Sequence, residues 1–148
     1  MTLLESLRRA TSAIEAKFAD GEPSLTAPQY QLLLTLEHHE GKMQRELTDM
    51  AGMDRGSASD VFRRLDEDGL ITRTSDISDR RAWFVHLTDE GRDILKKAKR
   101  IMASLERELE TSGVDIPKLV KGLNPLVQLR PPQPLTPPNR AHRRAARA

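Results

Sequence analysis

Residues 54–65 read Asp54-Arg55-Gly56-Ser57-Ala58-Ser59-Asp60-Val61-Phe62-Arg63-Arg64-Leu65. A guanidinium fork pairs bidentately with a guanine edge or a phosphate, and a short hydroxyl serves as donor or acceptor to either. Arg55, Arg63, Arg64, Ser57 and Ser59 are therefore candidates for reading duplex DNA. At helical spacing Ala58, Val61, Phe62 and Leu65 make one apolar face, which must lie against a core, and Ser57, Ser59, Asp60, Arg63 and Arg64 occupy the other. That distribution suits a helix laid in the major groove. A solvated surface helix carries similar mixtures, so these residues alone leave both readings open.

Other chemistries find little material. Glu37-His38-His39-Glu40 sets two imidazoles side by side, but neighbouring helical residues point about 100° apart and do not share an ion. They read instead as helix-end histidines facing the negative end of the dipole. His86 has neither a nucleophile nor an orienting partner nearby. The sequence holds no phosphate-cradling Gly-rich loop, zinc-protease helix motif or nucleophile elbow. Without cysteine it holds no disulfide and no thiolate metal site. No enzymatic activity, metal or other cofactor is expected.

The neighbouring segments must position the polar helix. Upstream, Gln44 to Ala51 is a short helical run with Leu47, Met50 and Ala51 on one side, and Gly52 supplies the left-handed residue of a sharp helix-to-helix turn. Asp54 then caps the next helix and Gly69 ends it. Ile71 to Ser75 reads as a strand carrying Arg73, which is counted with Asp79, Arg80 and Arg81 as a DNA-binding residue of the ribbon. Asp76 to Arg81 is a polar tip, and Trp83 to Leu87 returns with Trp83, Val85 and Leu87 on one face. A ribbon with Arg80 and Arg81 at its tip has the make-up of a wing that inserts a cation into the minor groove.

Arg55 to Leu70 resembles the recognition-helix segment of MarR-family transcriptional regulators. Asp66-Glu67-Asp68-Gly69-Leu70-Ile71-Thr72-Arg73 and, further on, Asp79-Arg80-Arg81 ahead of Val85-x-Leu87-Thr88-x-x-Gly91 are similar to that family's wing and the start of its next helix. The order of elements fits from Leu3 to about Leu109. The resemblance implies that Arg81 enters the minor groove and that Asp79 holds it, an acceptor two residues away limiting the entropy lost on binding. Gln44, opening the helix before the turn, is assigned a contact to the DNA backbone. A mainly α fold with a small β-wing (α+β) follows, with a winged helix-turn-helix at 24–87 flanked by N- and C-terminal dimerisation helices at 1–22 and 88–128. The function implied is a homodimeric, sequence-specific regulator, a repressor, on a pseudo-palindromic operator. A small phenolic or anionic effector would bind between the dimerisation helices and the winged domain. The lack of cysteine excludes the thiol-oxidation switch of the family's peroxide-sensing branch. A winged-helix adaptor that binds protein rather than an operator is the alternative.

Around this centre, Leu4, Leu7, Thr11, Ile14 and Phe18 form one stripe of a first helix that ends near Asp20-Gly21-Glu22-Pro23. Thr26-Ala27-Pro28-Gln29 is a capping box opening a second helix buried by Tyr30, Leu33, Leu34 and Leu36. Thr88 caps a long helix whose stripe runs Ile94, Leu95, Ala98, Ile101, Met102, Leu105 and Leu109. That stripe exceeds what so small a domain can cover, so its distal part, with Leu4, Leu7, Thr11 and Ile14, is expected to pack on a second copy. Asp115-Ile116-Pro117 restarts a helix bearing Leu119, Val120 and Leu123 for the same interface, and Asn124-Pro125 is expected to stop or kink it.

Length fits one domain of 1–128 followed by a tail at 129–148, Pro-rich, basic and read as disordered. The tail holds five arginines and no acid, whereas residues 1–128 hold 19 cations against 22 carboxylates, so the pI of 9.1 comes from the tail. No signal peptide or bilayer-spanning apolar run is read, which makes the expected location cytoplasmic and membrane partners unexpected. Three features depart from the resemblance. Asp60 stands where the family very often has Arg or another DNA-compatible residue, to be neutralised by Arg63 or Arg64 or to accept from a cytosine amino group. Met43 replaces the usual Ser or Thr cap. Residues 54–81 carry six Arg against seven Asp or Glu, a net charge of −1.

Overall fold

The computed structural model describes residues 1–20 and 24–129. The tail expected at 129–148 lies, but for Leu129, outside these. Met1–Val114 forms one compact unit and the chain from Asp115 belongs to a second.

The first unit contains α1 (Leu3–Ala19), α2 (Ala27–His38), α3 (Gln44–Met50), α4 (Arg55–Glu67), β1 (Ile71–Ser75), β2 (Trp83–Leu87) and α5 (Asp89–Thr111). Local signals set most boundaries. Thr2 with Glu5 and Thr26 with Gln29 form complete capping boxes, each satisfying two otherwise orphaned donors. Gly52 (φ 66°) and Gly69 (φ 72°) supply the left-handed residue after α3 and α4. Met53 N–H then donates to Thr48 O and Leu70 N–H to Leu65 O, closing the last turn of each helix.

The core is one cluster drawn from every element of this unit. Phe18 of α1 meets Tyr30 of α2 with ring centroids 5.0 Å apart. Leu32, Leu33 and Leu36 of α2, Leu47 of α3, and Ala58, Phe62 and Leu65 of α4 are buried with Ile71, Val85, Leu87, Leu95 and Ala98. Leu25 and Leu32 also belong to it, although periodicity did not single them out. Trp83, expected to share the buried face of β2, is 37% exposed, because the ribbon has by then run past the core.

β1 and β2 pair antiparallel with Ile71 opposite Leu87 and Ser75 opposite Trp83. The outer edge of β2 is tied to the segment before α3: Gly41 N–H donates to Val85 O, Val85 N–H to Lys42 O, and Met43 bridges Phe84. The root of the ribbon is fixed by further hydrogen bonds. Thr88 N–H donates to Leu70 O at 3.1 Å, Thr88 Oγ1 donates to Gly69 O at 2.7 Å, and the same oxygen accepts from Gly91 N–H at 3.0 Å. One side chain thus caps α5 and grips the turn that leaves α4. Glu40 reinforces this corner, accepting from both Leu87 N–H and Arg92, whose Nη2 lies 2.7 Å from each carboxylate oxygen.

In the second unit α6 (Ile116–Gln128) is capped by Asp115, whose carboxylate accepts from Lys118 N–H, and none of its residues is buried. Asn124-Pro125 does not end it. The helix runs through Pro125 to Gln128, so of the stop or kink expected there the stop does not occur. Proline removes one N–H and crowds the preceding turn, and the cost here is the single bond that this N–H would have made to the carbonyl four residues back.

Two outcomes test this account. A Cβ at Gly91 would stand 2.0 Å from Leu70 O, and backbone cannot yield as a flexible side chain does; Gly91→Ala is expected to cost roughly 3 kcal/mol or more, read as a lower urea midpoint at unchanged slope. The Arg92 guanidinium holds the Glu40 carboxyl below its ordinary value of 4.5. Its contribution is then complete above that value and lost as pH falls through the lower native one. Glu40→Gln should lower Tm by a few degrees at pH 7, with the gap from the parent closing in acid.

Candidate nucleic-acid interface

α4 stands on the core through Ala58, Phe62 and Leu65 and turns its opposite face to solvent. Asp54 caps it, accepting from Ser57 N–H at 2.9 Å, so the first turn, with Arg55, Ser57 and Ser59, has a defined start. Ser57, Ser59, Asp60, Arg63 and Arg64 are all exposed. Gly56, Ser59, Asp60 and Arg63 line an open recess whose further wall is Arg73 of β1. Helix and ribbon therefore present one continuous polar surface.

The charges on that surface are paired within the chain. Asp60 meets Arg63 at 2.6 Å and Arg64 at 3.3 Å, and Arg63 reaches on to Glu67 at 2.8 Å. These are the i+3 and i+4 partners expected to neutralise Asp60. The Arg63 guanidinium keeps the Asp60 carboxyl below the usual aspartate range. Arg55 lies half-buried at the foot of the helix, 3.9 Å from Asp49 of α3. Gln44, the proposed backbone contact, is half-buried with its side-chain carbonyl enclosed and without a hydrogen-bond partner among the described residues. Met43 gives α3 no side-chain cap; its N–H donates to Glu46 Oε2, which is the reverse half of a capping box.

The ribbon tip is built from side chains folded onto their own backbone. Asp76 accepts from Ser78 N–H and Ser78 Oγ, both at 2.8 Å, which holds its carboxyl below the ordinary value. Asp79 accepts from Arg81 N–H at 3.0 Å, and Ala82 N–H closes the turn onto Asp79 O. Asp79 thus fixes the backbone that carries Arg81. Arg80 and Arg81 are exposed at this tip.

Arg73, grouped with the wing by sequence, has a different setting. Its Nε donates to Asp66 of α4 at 2.9 Å and its guanidinium lies 5.3 Å from the Trp83 ring centroid, leaving 20% of the side chain exposed. It braces ribbon against helix. Neither Asp66 nor Trp83 was singled out for this, and only their places after a helix end and on a paired strand could have hinted at it. Because Trp83 is the chain's one tryptophan, its emission reports the brace. Arg73→Met, which keeps the stem and strands Asp66, is expected to cost about 1–2 kcal/mol and to shift the emission maximum; unchanged emission and an unchanged melt would mean that the pair holds nothing.

Among the described residues no cluster of three or more potential ligands could hold a metal ion, and no helix is long and apolar enough to cross a membrane.

Comparison with known proteins agrees with this architecture. The family model described as MarR family matches residues 25–83, from the start of α2 to the return strand. The organic hydroperoxide resistance transcriptional regulator of Bacillus subtilis (strain 168) is 30% identical over 105 residues, which are 71% of either chain. The repressor CouR, solved bound to a 23-mer DNA duplex, superposes with a TM-score of 0.68 at 29% identity over 88% of this chain and 93% of its own. The regulator PcaV of Streptomyces coelicolor, solved with its natural ligand, gives a TM-score of 0.75 at 24% identity over 87% of this chain and 92% of its own. Its likeness is one of fold. With the capped α4, the braced ribbon and the Thr88–Gly91 corner in place, the chain belongs to the MarR family of winged-helix transcriptional regulators.

Proposed function

We propose that two copies of this regulator bind a pseudo-palindromic operator and repress the genes beside it, acting in the cytoplasm where the DNA is. Each copy lays α4 in the major groove, with Ser57, Ser59, Arg63 and Arg64 toward the bases and Arg55 and Gln44 toward the backbone. Arg80 and Arg81 go to the flanking minor groove. The single observation that carries this is the pairing of a capped, outward-facing polar helix with a ribbon whose tip is held by Asp79, the two joined by the Asp66–Arg73 contact. CouR, a repressor solved on DNA, supports it by likeness.

The dimer rests on unspent apolar surface. Beyond Ala98 the stripe of α5 is only half-buried through Ile101, Met102, Leu105 and Leu109, while on α1 Leu4 is 76% exposed and Leu7 and Ile14 are half-buried. Leu119 and Leu123 of α6 belong to the same proposed interface. A second copy would remove these side chains from water at roughly 25 cal/mol per Å², and two-fold symmetry then sets half-site centres about 34–36 Å apart. A small phenolic or anionic effector bound beside α5 would act by favouring one spacing of the two α4 helices over another. The adaptor reading draws on the net charge of −1 over residues 54–81.

Selection from a random duplex pool, followed by titration of the enriched duplex in rising salt, separates the two. The operator reading expects log affinity to fall linearly with log salt, whereas absence of binding at low salt leaves the adaptor. Arg81→Ala should weaken the selected duplex by about 1–3 kcal/mol and leave the sedimentation coefficient unchanged. A variant that binds like the parent removes the wing from the interface.

A further inference from the structure

The recognition surface carries its own counter-charges, and their placement is not that of a casual ion ladder. Arg63 Nη2 is bonded to Asp60 and Arg63 Nη1 to both carboxylate oxygens of Glu67, so the two terminal nitrogens of the fork already have intrachain acceptors. Arg64 shares Asp60. A bidentate contact to guanine or phosphate needs two N–H groups of one fork free together. A base or phosphate approaching Arg63 therefore competes with Asp60 and Glu67 for its terminal nitrogens, and one approaching Arg64 competes with Asp60 for Nη2. Asp60 is also the one acid among the residues lining the recess between α4 and β1.

We propose that Asp60 is a specificity-determining residue of the DNA contact: it holds Arg63 and Arg64 in internal pairs that a random phosphate backbone does not break and that a matched site does. The inference rests on the operator reading above. Sequence-independent affinity grows with the number of phosphates neutralised by free cations, and an exposed carboxylate amid the cations both subtracts from that number and repels the backbone. A matched sequence offers base acceptors to both guanidiniums at once and a cytosine amino donor to Asp60 itself. The internal pairs therefore lower random binding more than matched binding.

Asp60→Asn keeps the shape and removes the charge, at a side chain that is 53% exposed and outside the core. The experiment measures binding of parent and variant, by fluorescence anisotropy in rising salt, to the selected duplex and to a random duplex of equal length. The variant is expected to bind the random duplex about tenfold tighter at low salt, with a log–log slope steeper by roughly 0.9 for each phosphate gained, and the selected-to-random ratio should narrow. Asp60→Glu, which keeps the charge within reach of Arg64, should behave as the parent. Glu67→Gln should move in the direction of Asp60→Asn by a smaller factor, since Arg64 stays paired. Equal random-duplex affinity and slope for parent and Asp60→Asn would overturn the proposal while leaving the operator reading intact. So would loss of the selected duplex without any gain on random DNA, which would make Asp60 a direct reader only. A parent that binds neither duplex ends both readings.

Discussion

One threonine hydroxyl joins the parts of this molecule that must keep a fixed relation. Thr88 caps α5 by accepting from Gly91 N–H, donates to the carbonyl of Gly69 just after α4, and through its own N–H holds Leu70 at the start of β1. The geometry works only because residue 91 has no side chain, since Leu70 O occupies the place where a Cβ would stand. The end of the polar helix, the root of the ribbon and the start of the longest helix therefore meet within one hydrogen-bond length. Three hydrogen bonds and the close Gly91–Leu70 approach thus tie the start of α5 to the end of α4. Glu40, in the turn after α2, adds a second tie to β2 and α5.

Given a rigid corner, the polar surface is decided by electrostatics more than by shape. Charges on an exposed helix face are screened within about 10 Å at ordinary salt, so the nearest partners dominate, and here the nearest partners are intrachain carboxylates. Their effect is first on geometry: a guanidinium held by two acceptors samples fewer rotamers than a free one. The wing follows the same logic with backbone donors. Asp76 and Asp79 spend their carboxylates on the turn itself, which lets the tip present two arginines in a set conformation.

Much of the fold could be read from local sequence because the information is local. The capping box at Thr26, the Asp54 cap, left-handed glycines at 52 and 69, and the three- and four-residue spacing of Ala58, Phe62 and Leu65 involve groups a turn or less apart. The exposed face of α4 and the turn under Arg81 were legible for the same reason. What escaped is non-local or set by termination. Glu40 and Arg92 are fifty-two residues apart, and nothing in either segment points to the other. The contacts of Arg73 with Asp66 and Trp83 depend on the strand register and on the end of a separate helix, which no local pattern announces. Pro125 looks like a stop, but it removes a single intrahelical bond and the helix continues past it to Gln128.

The length of α5 carries a further physical consequence. Twenty-three residues rise about 1.5 Å each, yet the buried residues Gly91, Leu95 and Ala98 all fall in the first half of the helix. Beyond them α5 keeps contact with α1, where Lys17 lies 3.4 Å from Glu108, both side chains being more than half exposed. Pairs so exposed add little to stability. The distal half is thus held chiefly by its continuity with a firmly anchored first half and by half-buried contacts from Ile101 and Met102. A lever anchored at one end and loosely covered along the other transmits displacement best when force is applied to the loose part. In this molecule the anchored end is the Thr88 corner, and the element across that corner is the helix that carries Ser57, Asp60 and Arg63.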